Sequence, residues 1–130
     1  NSVTLTGSVA WQDLPGFYAS GQVFVMPVRT RNFGFDVEGL GIVYLEASAT
    51  GLPVIAGISG GAPEAVVDGE TGFVIDAKNT IDLVNKIAEL LLSPELRRNI
   101  GKQGRTWIEN EWQWPARHDQ LRKLLATNMS

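Results

Sequence analysis

Two carboxylates in the segment 38–51 have the residue types and spacing of a ligand site. Glu38 stands just before Gly39 and Gly41, and Glu46 follows Glu38 by eight positions. A carboxylate is a double acceptor that suits sugar hydroxyls, and glycine has no Cβ to hold a ligand away from the backbone. A helix that begins at these glycines offers unpaired N–H groups at its positive end, which suits a phosphate or diphosphate. Glu38 could thus accept from a sugar, the start of the helix could bind a diphosphate, and Glu46 could accept from the two hydroxyls of a ribose. A ligand with these three groups in this order is a nucleotide sugar.

The position of Glu46 on its helix raises a packing problem. An α-helix advances about 100° per residue, so Glu46 projects near Ile42 and beside Leu45 and Ala49, a face that we predict to pack against the core. A charge on such a face is costly unless a partner bonds to it. A ribose with two hydroxyls is one such partner, and a structural arginine is the alternative. Glu38 has its own simpler alternative as a helix cap or dipole partner.

Composition limits the class of protein. The 130 residues suit one domain with one core, and 44% hydrophobic content is ordinary for a globular protein. A net charge of −3 gives no reason to expect nucleic acid as a partner. The sequence contains no cysteine, no D-x-D pair and no His/Cys cluster, so we expect neither disulfides nor a metal site. It shows no signal peptide and no apolar run long enough to cross a bilayer.

The chain alternates predicted strands and helices. We predict strands at 3–6, 23–27, 53–57 and 72–76, and helices at 13–20, 41–50, 80–92, from 94 past 108, and 114–125. Asp13 and either Asn79 or Thr80 are expected as N-caps, and Gly51 as the helix stop. This order indicates a Rossmann-like, doubly wound parallel α/β sheet with helices on both faces. Four strands are few for such a fold, so we expect a domain truncated on its N-terminal side.

Ligands of open α/β sheets bind beyond the carboxyl ends of the strands. Three loops are expected there, at 7–12, 28–41 and 57–64. The second is the richest, because it carries Glu38 together with Arg29 and Arg31, although such arginines are more often solvated loop charges. In the third loop, Gly60 and Gly61 have the simpler interpretation of a tight turn.

The motifs together resemble a known family. The block E-G-L-G-I-V-Y-L-E is an E-x7-E motif, followed by A-x-A-T-G-L-P-V-I-A-G-x-x-G-G-A-P-E and D-G-E-T-G-F-V-I-D. This pattern covers nearly the whole chain and is similar to the carboxy-terminal domain of retaining glycosyltransferases of the GT-B fold, family 4. The segment 27–41 further resembles actinobacterial GDP-mannose-dependent mannosyltransferases that act on phosphatidylinositol monomannoside.

The resemblance implies a role for each motif residue. Glu38 is expected to hold hydroxyls of the donor sugar, and Glu46 the ribose. Gly7 and Val9 are expected to contact the nucleotide base. Four residues are expected to bring their backbone to the diphosphate: Gly39, Leu40, Gly41 and Ile42. The resemblance also implies catalysis without a metal cofactor. It places the main catalytic groups, with the diphosphate cations and the acceptor domain, upstream of residue 1.

The resemblance also sets expectations for the whole chain, 1–130, as a C-terminal donor-binding domain. The expected donor is GDP-mannose, and the acceptor is a lipid or glycan bound through the N-terminal domain. Full-length relatives are expected in the cytoplasm, peripheral on the inner face of the plasma membrane. We expect the isolated chain to be inactive, because the acceptor half and the diphosphate cations lie outside it. We also expect it to self-associate, because its sheet edge is uncovered. A UDP-sugar donor, a non-catalytic nucleotide-sugar-binding module, and a hydrolase or epimerase stay open as alternatives.

Overall fold

Three short parallel strands and five α-helices form the part of the chain that the computed structural model describes, residues 2–30 and 37–127. The strands are β1 (Phe24–Met26), β2 (Val54–Gly57) and β3 (Gly72–Ile75). The helices are α1 (Leu14–Ser20), α2 (Ile42–Ala49), α3 (Thr80–Leu92), α4 (Pro94–Glu111) and α5 (Trp114–Thr127), and two 3-10 helices span Trp11–Asp13 and Ala62–Ala65. The described part of the chain therefore has the predicted α/β alternation.

Strand β2 lies in the middle of the sheet and divides the core into two layers. The strand order is β1-β2-β3, and Ile55 pairs with Val25 on one side and with Phe73 on the other. Val54 and Ala56 face a cluster that includes α2, whereas Ile55 faces a cluster that includes α3 and α4. Helices on both faces of a parallel sheet are the arrangement that the alternation predicted.

Residues 3–6, predicted to be the first strand, do not form one. The side chains of Val3 and Leu5 are 74% and 92% exposed, and among the described residues no strand pairs with this segment. A short apolar run becomes a strand only where a neighbouring strand satisfies its backbone groups. Local sequence does not reveal that neighbour, so three of the four predicted strands are present.

The helix ends agree with the sequence except at Asp13. Asn79 caps α3 by accepting a hydrogen bond of 3.1 Å from the backbone N–H of Asp82, and Gly51 follows α2 with a left-handed φ of 81°. The side chain of Ser93 likewise accepts from the N–H of Leu96 at the start of α4. Asp13 makes no such bond, because the 3-10 helix Trp11–Asp13 has already turned its backbone into the helical region.

Helix α4 packs closely on the end of α2. A Cβ added to Gly101 would overlap the carbonyl oxygen of Gly51, and Gly104 lies beside the side chain of Ser48. These glycines allow α4 to approach α2 at backbone distance. Helix α2 is consequently supported by the sheet and by α4, which fixes the element that carries Glu46. No helix within the described ranges has the length and apolar character that a bilayer crossing requires.

Candidate functional site

The start of α2 is an uncapped helix end at a left-handed glycine. Gly41 precedes the helix with φ 74°, and no side chain caps the first-turn N–H groups. A Cβ at Gly41 would overlap the ring of Tyr44, so the glycine is needed for packing as well as for its φ. The helix therefore begins with N–H groups at its positive end that no side chain covers, as an anion site requires.

The loop before α2 is held against the loop after β2. The N–H of Gly61 lies 2.8 Å from the carbonyl oxygen of Gly39 and 3.2 Å from that of Glu38. A Cβ at Gly60 would overlap the Glu38 carbonyl, and a Cβ at Gly61 would overlap that of Gly39. The two glycines are therefore more than a tight turn, because they let the backbones of two loops touch.

A buried serine strengthens this contact. Ser59 is 2% exposed, and its hydroxyl accepts a hydrogen bond of 3.4 Å from the N–H of Glu38 and shares one of 3.1 Å with the hydroxyl of Thr30. A Cβ at Gly57 would overlap the carbonyl of Val28. The loops after β1 and β2 thus meet at the carboxyl ends of their strands, where open α/β sheets bind ligands. Sequence reasoning missed Ser59, because a serine in a glycine-rich loop carries no distinctive signal.

Glu38 lies at an open groove beyond the ends of the strands. The groove has a volume of about 410 Å³, and Arg29 is among its lining residues. Nearby, the hydroxyl of Tyr44 donates a hydrogen bond of 2.7 Å to the carbonyl of Met26. Burial raises the pKa of Tyr44 to about 12, and the charge of Glu38 adds to the increase. Glu38 is half-buried, and Arg31, the other arginine of this loop in the sequence, lies outside the described residues.

The predicted core face of α2 is wrong at Ile42 and Ala49, whereas Leu45 packs against the core as expected. The helix is buried through Tyr44, Ala47 and Ser48, whereas Ile42 is 64% exposed and Ala49 is also exposed. The sheet and α4 cover a different side of the helix from the one that the apolar residues suggested. Nearly every position in this helix is apolar or small, so its periodicity does not distinguish the faces. Glu46 is half-buried on the less covered side, within reach of a ligand.

The hydrogen-bond partner of the Glu46 side chain is a tyrosine. The hydroxyl of Tyr18 donates a hydrogen bond of 2.9 Å to Oε2 of Glu46. Burial, this hydrogen bond and the Glu46 charge together raise the pKa of Tyr18 to about 12. Among the described residues the partner of Glu46 is thus a phenol, and not the structural arginine of the alternative. The two side chains share the wall of a largely apolar cavity of about 270 Å³, whose other lining residues are Trp11, Leu14, Pro15, Ala49 and Thr50.

The two glutamates and the expected base-contacting residues do not share one pocket. Glu38 and Glu46 line separate depressions, and the one beside Glu46 also includes Ala49 and Thr50 at the end of α2. Gly7, with φ 68°, is exposed, and Val9 is half-buried in the irregular segment before Trp11. Hydrogen bonds of the described residues do not join Gly7 or Val9 to either glutamate. Their contact with a base stays a prediction.

The residues that the structure describes also contain no group of three or more His, Asp or Glu placed to hold a metal ion. The polar groups gathered around the start of α2 are instead carboxylates, hydroxyls and backbone amides. Such groups bind hydroxyls and phosphates by hydrogen bonding.

Comparisons with known proteins agree with this geometry. A family model described as "Glycosyl transferases group 1" matches residues 1–107. The GDP-mannose-dependent alpha-(1-6)-phosphatidylinositol monomannoside mannosyltransferase of Mycolicibacterium smegmatis is 48% identical over 124 residues, 95% of this chain and 32% of the relative. The protein of the same description from Mycobacterium tuberculosis is 51% identical over 112 residues, 86% of this chain and 29% of the relative.

A solved structure extends the comparison to the fold. The sucrose-phosphate synthase of Thermosynechococcus elongatus superposes with a TM-score of 0.80 at 31% identity, over 98% of this chain and 30% of that one. The chain therefore spans about a third of the length of the relatives that it matches.

Proposed function

Because this chain belongs to the glycosyl transferases of group 1, we propose that it is the donor-binding part of a retaining mannosyltransferase. Its donor is GDP-mannose, and its acceptor is a lipid of the phosphatidylinositol mannoside type. Relatives at 48% and 51% identity that carry this description support the donor and the acceptor. The observation that carries the proposal is the order of three features along the chain: Glu38, the uncapped start of α2, and Glu46.

This order matches the order of groups in a nucleotide sugar. Glu38 lies before the helix, Gly41 and Ile42 form its start, and Glu46 lies one turn further on, a rise of roughly 6 Å from Ile42. A donor that sets its diphosphate at the start of α2 brings its sugar toward Glu38 and its ribose toward Glu46. We propose that Gly39 and Leu40 complete the backbone at the diphosphate.

The electrostatics of the site suit a departing nucleoside diphosphate. Transfer breaks the bond between the sugar and the diphosphate, and negative charge grows on the oxygen that leaves. The positive end of α2 would stabilise that charge, and Arg29, which lines the groove of Glu38, adds a positive charge to the same groove. The residues of this chain thus bind and orient the donor without supplying a complete catalytic set.

The base is proposed to lie near the segment that contains Gly7 and Val9. This segment leads directly into Trp11, which lines the apolar cavity beside Glu46. An apolar wall next to the carboxylate that binds the ribose suits the flat face of a nucleobase.

We propose that the acceptor site, and the arginine and lysine side chains that hold the diphosphate, lie in the other two thirds of a protein as long as the relatives. We therefore expect no sugar transfer by the 130-residue chain alone, because donor and acceptor must be held together to react. A lipid acceptor requires work at a membrane surface. We propose a peripheral enzyme on the cytoplasmic face of the plasma membrane, and no metal cofactor.

A binding experiment tests the donor site. Glu46→Gln keeps an oxygen for the Tyr18 hydroxyl but removes the charge, and a hydrogen bond to a charged group is worth roughly 1.5–3 kcal/mol. The dissociation constant of GDP, measured by calorimetry, should rise about tenfold or more. Glu109→Gln is the matched control, because Glu109 is an exposed carboxylate on α4 that pairs with Arg105.

Two outcomes contradict the proposal. Normal GDP binding by Glu46→Gln together with a much lower melting temperature would make Glu46 structural. Tighter binding of UDP than of GDP by the unaltered chain would replace GDP-mannose by a UDP-sugar donor.

A further inference from the structure

A tyrosine from another helix occupies one side of the Glu46 carboxylate. Tyr18 lies on α1 and Glu46 on α2, 28 positions apart in the sequence, and the tyrosine hydroxyl is 2.9 Å from Oε2. The bond is partly buried. The backbone of Glu46 is held by α2. Because the Tyr18 hydroxyl comes from a separate helix, its hydrogen bond also holds the carboxylate end of the Glu46 side chain.

The bond leaves the carboxylate free to accept from a ligand. Two carboxylate oxygens offer about four acceptor positions, and the Tyr18 hydroxyl fills one of them. No other hydrogen bond to this carboxylate comes from residues 2–30 or 37–127, so Oε1 and the second position on Oε2 remain for the two hydroxyls of a ribose. Without Tyr18, rotation of the long Glu46 side chain would have to be restricted when the ligand binds, which weakens affinity.

The ring of Tyr18 has its own support. It meets the ring of Phe24 edge to face, with centroids 5.6 Å apart, and Phe24 in turn meets Tyr44 at 6.1 Å. These contacts involve the ring and not the hydroxyl. Loss of the hydroxyl alone should therefore leave α1 and the ring in place.

We propose that Tyr18 is a positioning residue for the donor: its hydroxyl orients the Glu46 carboxylate toward the ribose hydroxyls of the nucleotide. The inference rests on the proposed ribose role of Glu46 and adds to it a residue that the E-x7-E motif does not contain. The contact between α1 and α2 would then contribute to nucleotide affinity as well as to folding.

The test compares two ligands that differ only in the ribose. The unaltered chain should bind GDP at least about tenfold more tightly than 2′,3′-dideoxyguanosine diphosphate, which has no hydroxyl for Glu46. In Tyr18→Phe the dissociation constant of GDP should rise about three- to tenfold, while that of the dideoxy compound stays the same. If Tyr18 were purely structural, Tyr18→Phe would weaken the binding of both ligands equally.

Two further variants sharpen the test. Tyr18→Phe combined with Glu46→Ala should bind GDP no more weakly than Glu46→Ala alone, because the Glu46→Ala change leaves no carboxylate for Tyr18 to orient. Tyr44→Phe is the matched control, since it removes the other tyrosine hydroxyl of the chain, which bonds to Met26 instead. Its stability should fall, but its preference for GDP over the dideoxy compound should not change.

The positioning role of Tyr18 and the ribose role of Glu46 are overturned by different results. If the unaltered chain prefers GDP and Tyr18→Phe keeps the same preference, Tyr18 does not position Glu46, and the proposed function stands. If the unaltered chain binds both nucleotides equally, or binds neither, the ribose role of Glu46 fails and the role of Tyr18 fails with it.

Discussion

The carbonyl oxygen of Glu38 lies where a Cβ of Gly60 would be, and Gly60 has a left-handed φ of 55°. The neighbouring Gly61 donates its N–H to the carbonyls of Glu38 and Gly39. The loop that carries the first glutamate is therefore held by backbone contacts with the loop after β2. The position of the Glu38 side chain therefore depends on backbone contacts between two loops, to which the hydroxyl of Ser59 adds one hydrogen bond.

Substitution of Gly60 should disturb this contact. Gly60→Ala adds a Cβ at a left-handed φ and against a backbone oxygen, and we expect a loss of about 1–3 kcal/mol in the free energy of unfolding. Gly69→Ala is the matched control, because Gly69 also has a left-handed φ, 75°, but open space around its α-carbon. Urea unfolding should show the larger loss for Gly60→Ala. Equal losses in the two variants would mean that φ alone matters and that the contact with Glu38 is unimportant.

Removal of the Glu38 carboxylate should separate sugar transfer from nucleotide binding. If Glu38 binds the donor sugar, Glu38→Ala in the full-length protein should lower the rate of mannosyl transfer by about tenfold or more, because a charged hydrogen bond is lost. The affinity for GDP, which has no sugar beyond its ribose, should change less than twofold. Mass spectrometry of the lipid product and GDP calorimetry give the two values, and an equal loss in both would move Glu38 into the nucleotide site.

Alkaline pH should destabilise the fold through its two tyrosines. The pKa of Tyr18 and that of Tyr44 are each raised from 10.0 to about 12 in the folded chain. The folded state therefore holds these protons more tightly than the unfolded state, so their stabilisation is complete below about pH 10 and is lost toward pH 12. Unfolding free energies measured between pH 8 and 11.5 should decline less steeply in Tyr18→Phe than in the unaltered chain. Identical slopes would show that the environment of Tyr18 does not retain its proton.

The close packing of α4 on α2 should tolerate a methyl group at one glycine and not at the other. A Cβ at Gly101 overlaps the Gly51 carbonyl, whereas at Gly104 the nearest atom is 3.3 Å away. Gly101→Ala should lose about 1–3 kcal/mol of stability, and Gly104→Ala should stay within about 1 kcal/mol, because helix propensity favours alanine. Thermal unfolding of the two variants measures the difference. A Gly101→Ala protein as stable as the unaltered chain would show that α4 shifts without cost.

The sequence predicted the elements that local chemistry specifies. The Asn79 cap and the stop at Gly51 depend on residues within a few positions of each other, and both are present. The apolar run 23–27 does form strand β1, but its residues are half-buried, because β1 is an edge strand of the described sheet. The strand at 3–6 failed because a strand also depends on a partner that its own residues do not encode. The prediction of the core face of α2 was wrong because a helix of small and apolar residues has no clear polar side.

The sequence predicts the motif residues of the candidate site but not the residues that contact them. Glu38 and Glu46 are predicted as ligand residues from their spacing and from the resemblance, and both side chains are half-buried in the structure. Their contacts with a donor stay predictions. The Tyr18 hydroxyl and the buried Ser59 were not identified, because each meets a site residue that is more than 20 positions away. Such contacts follow from how the helices and strands pack, which periodicity does not describe.

The long separation of these contacts has a consequence for how the chain reaches its folded state. The bonds that assemble the site join residues 28 and 29 positions apart, as in Tyr18–Glu46 and Thr30–Ser59, whereas Arg97 reaches the end of α3 across seven. Local contacts close with a smaller loss of chain entropy, so the α3–α4 hairpin is expected to form early and the site late. A nucleotide then recognises only molecules that have completed the last step. A ligand that binds only the folded chain raises its free energy of unfolding, so the stability of the fold would increase with donor concentration.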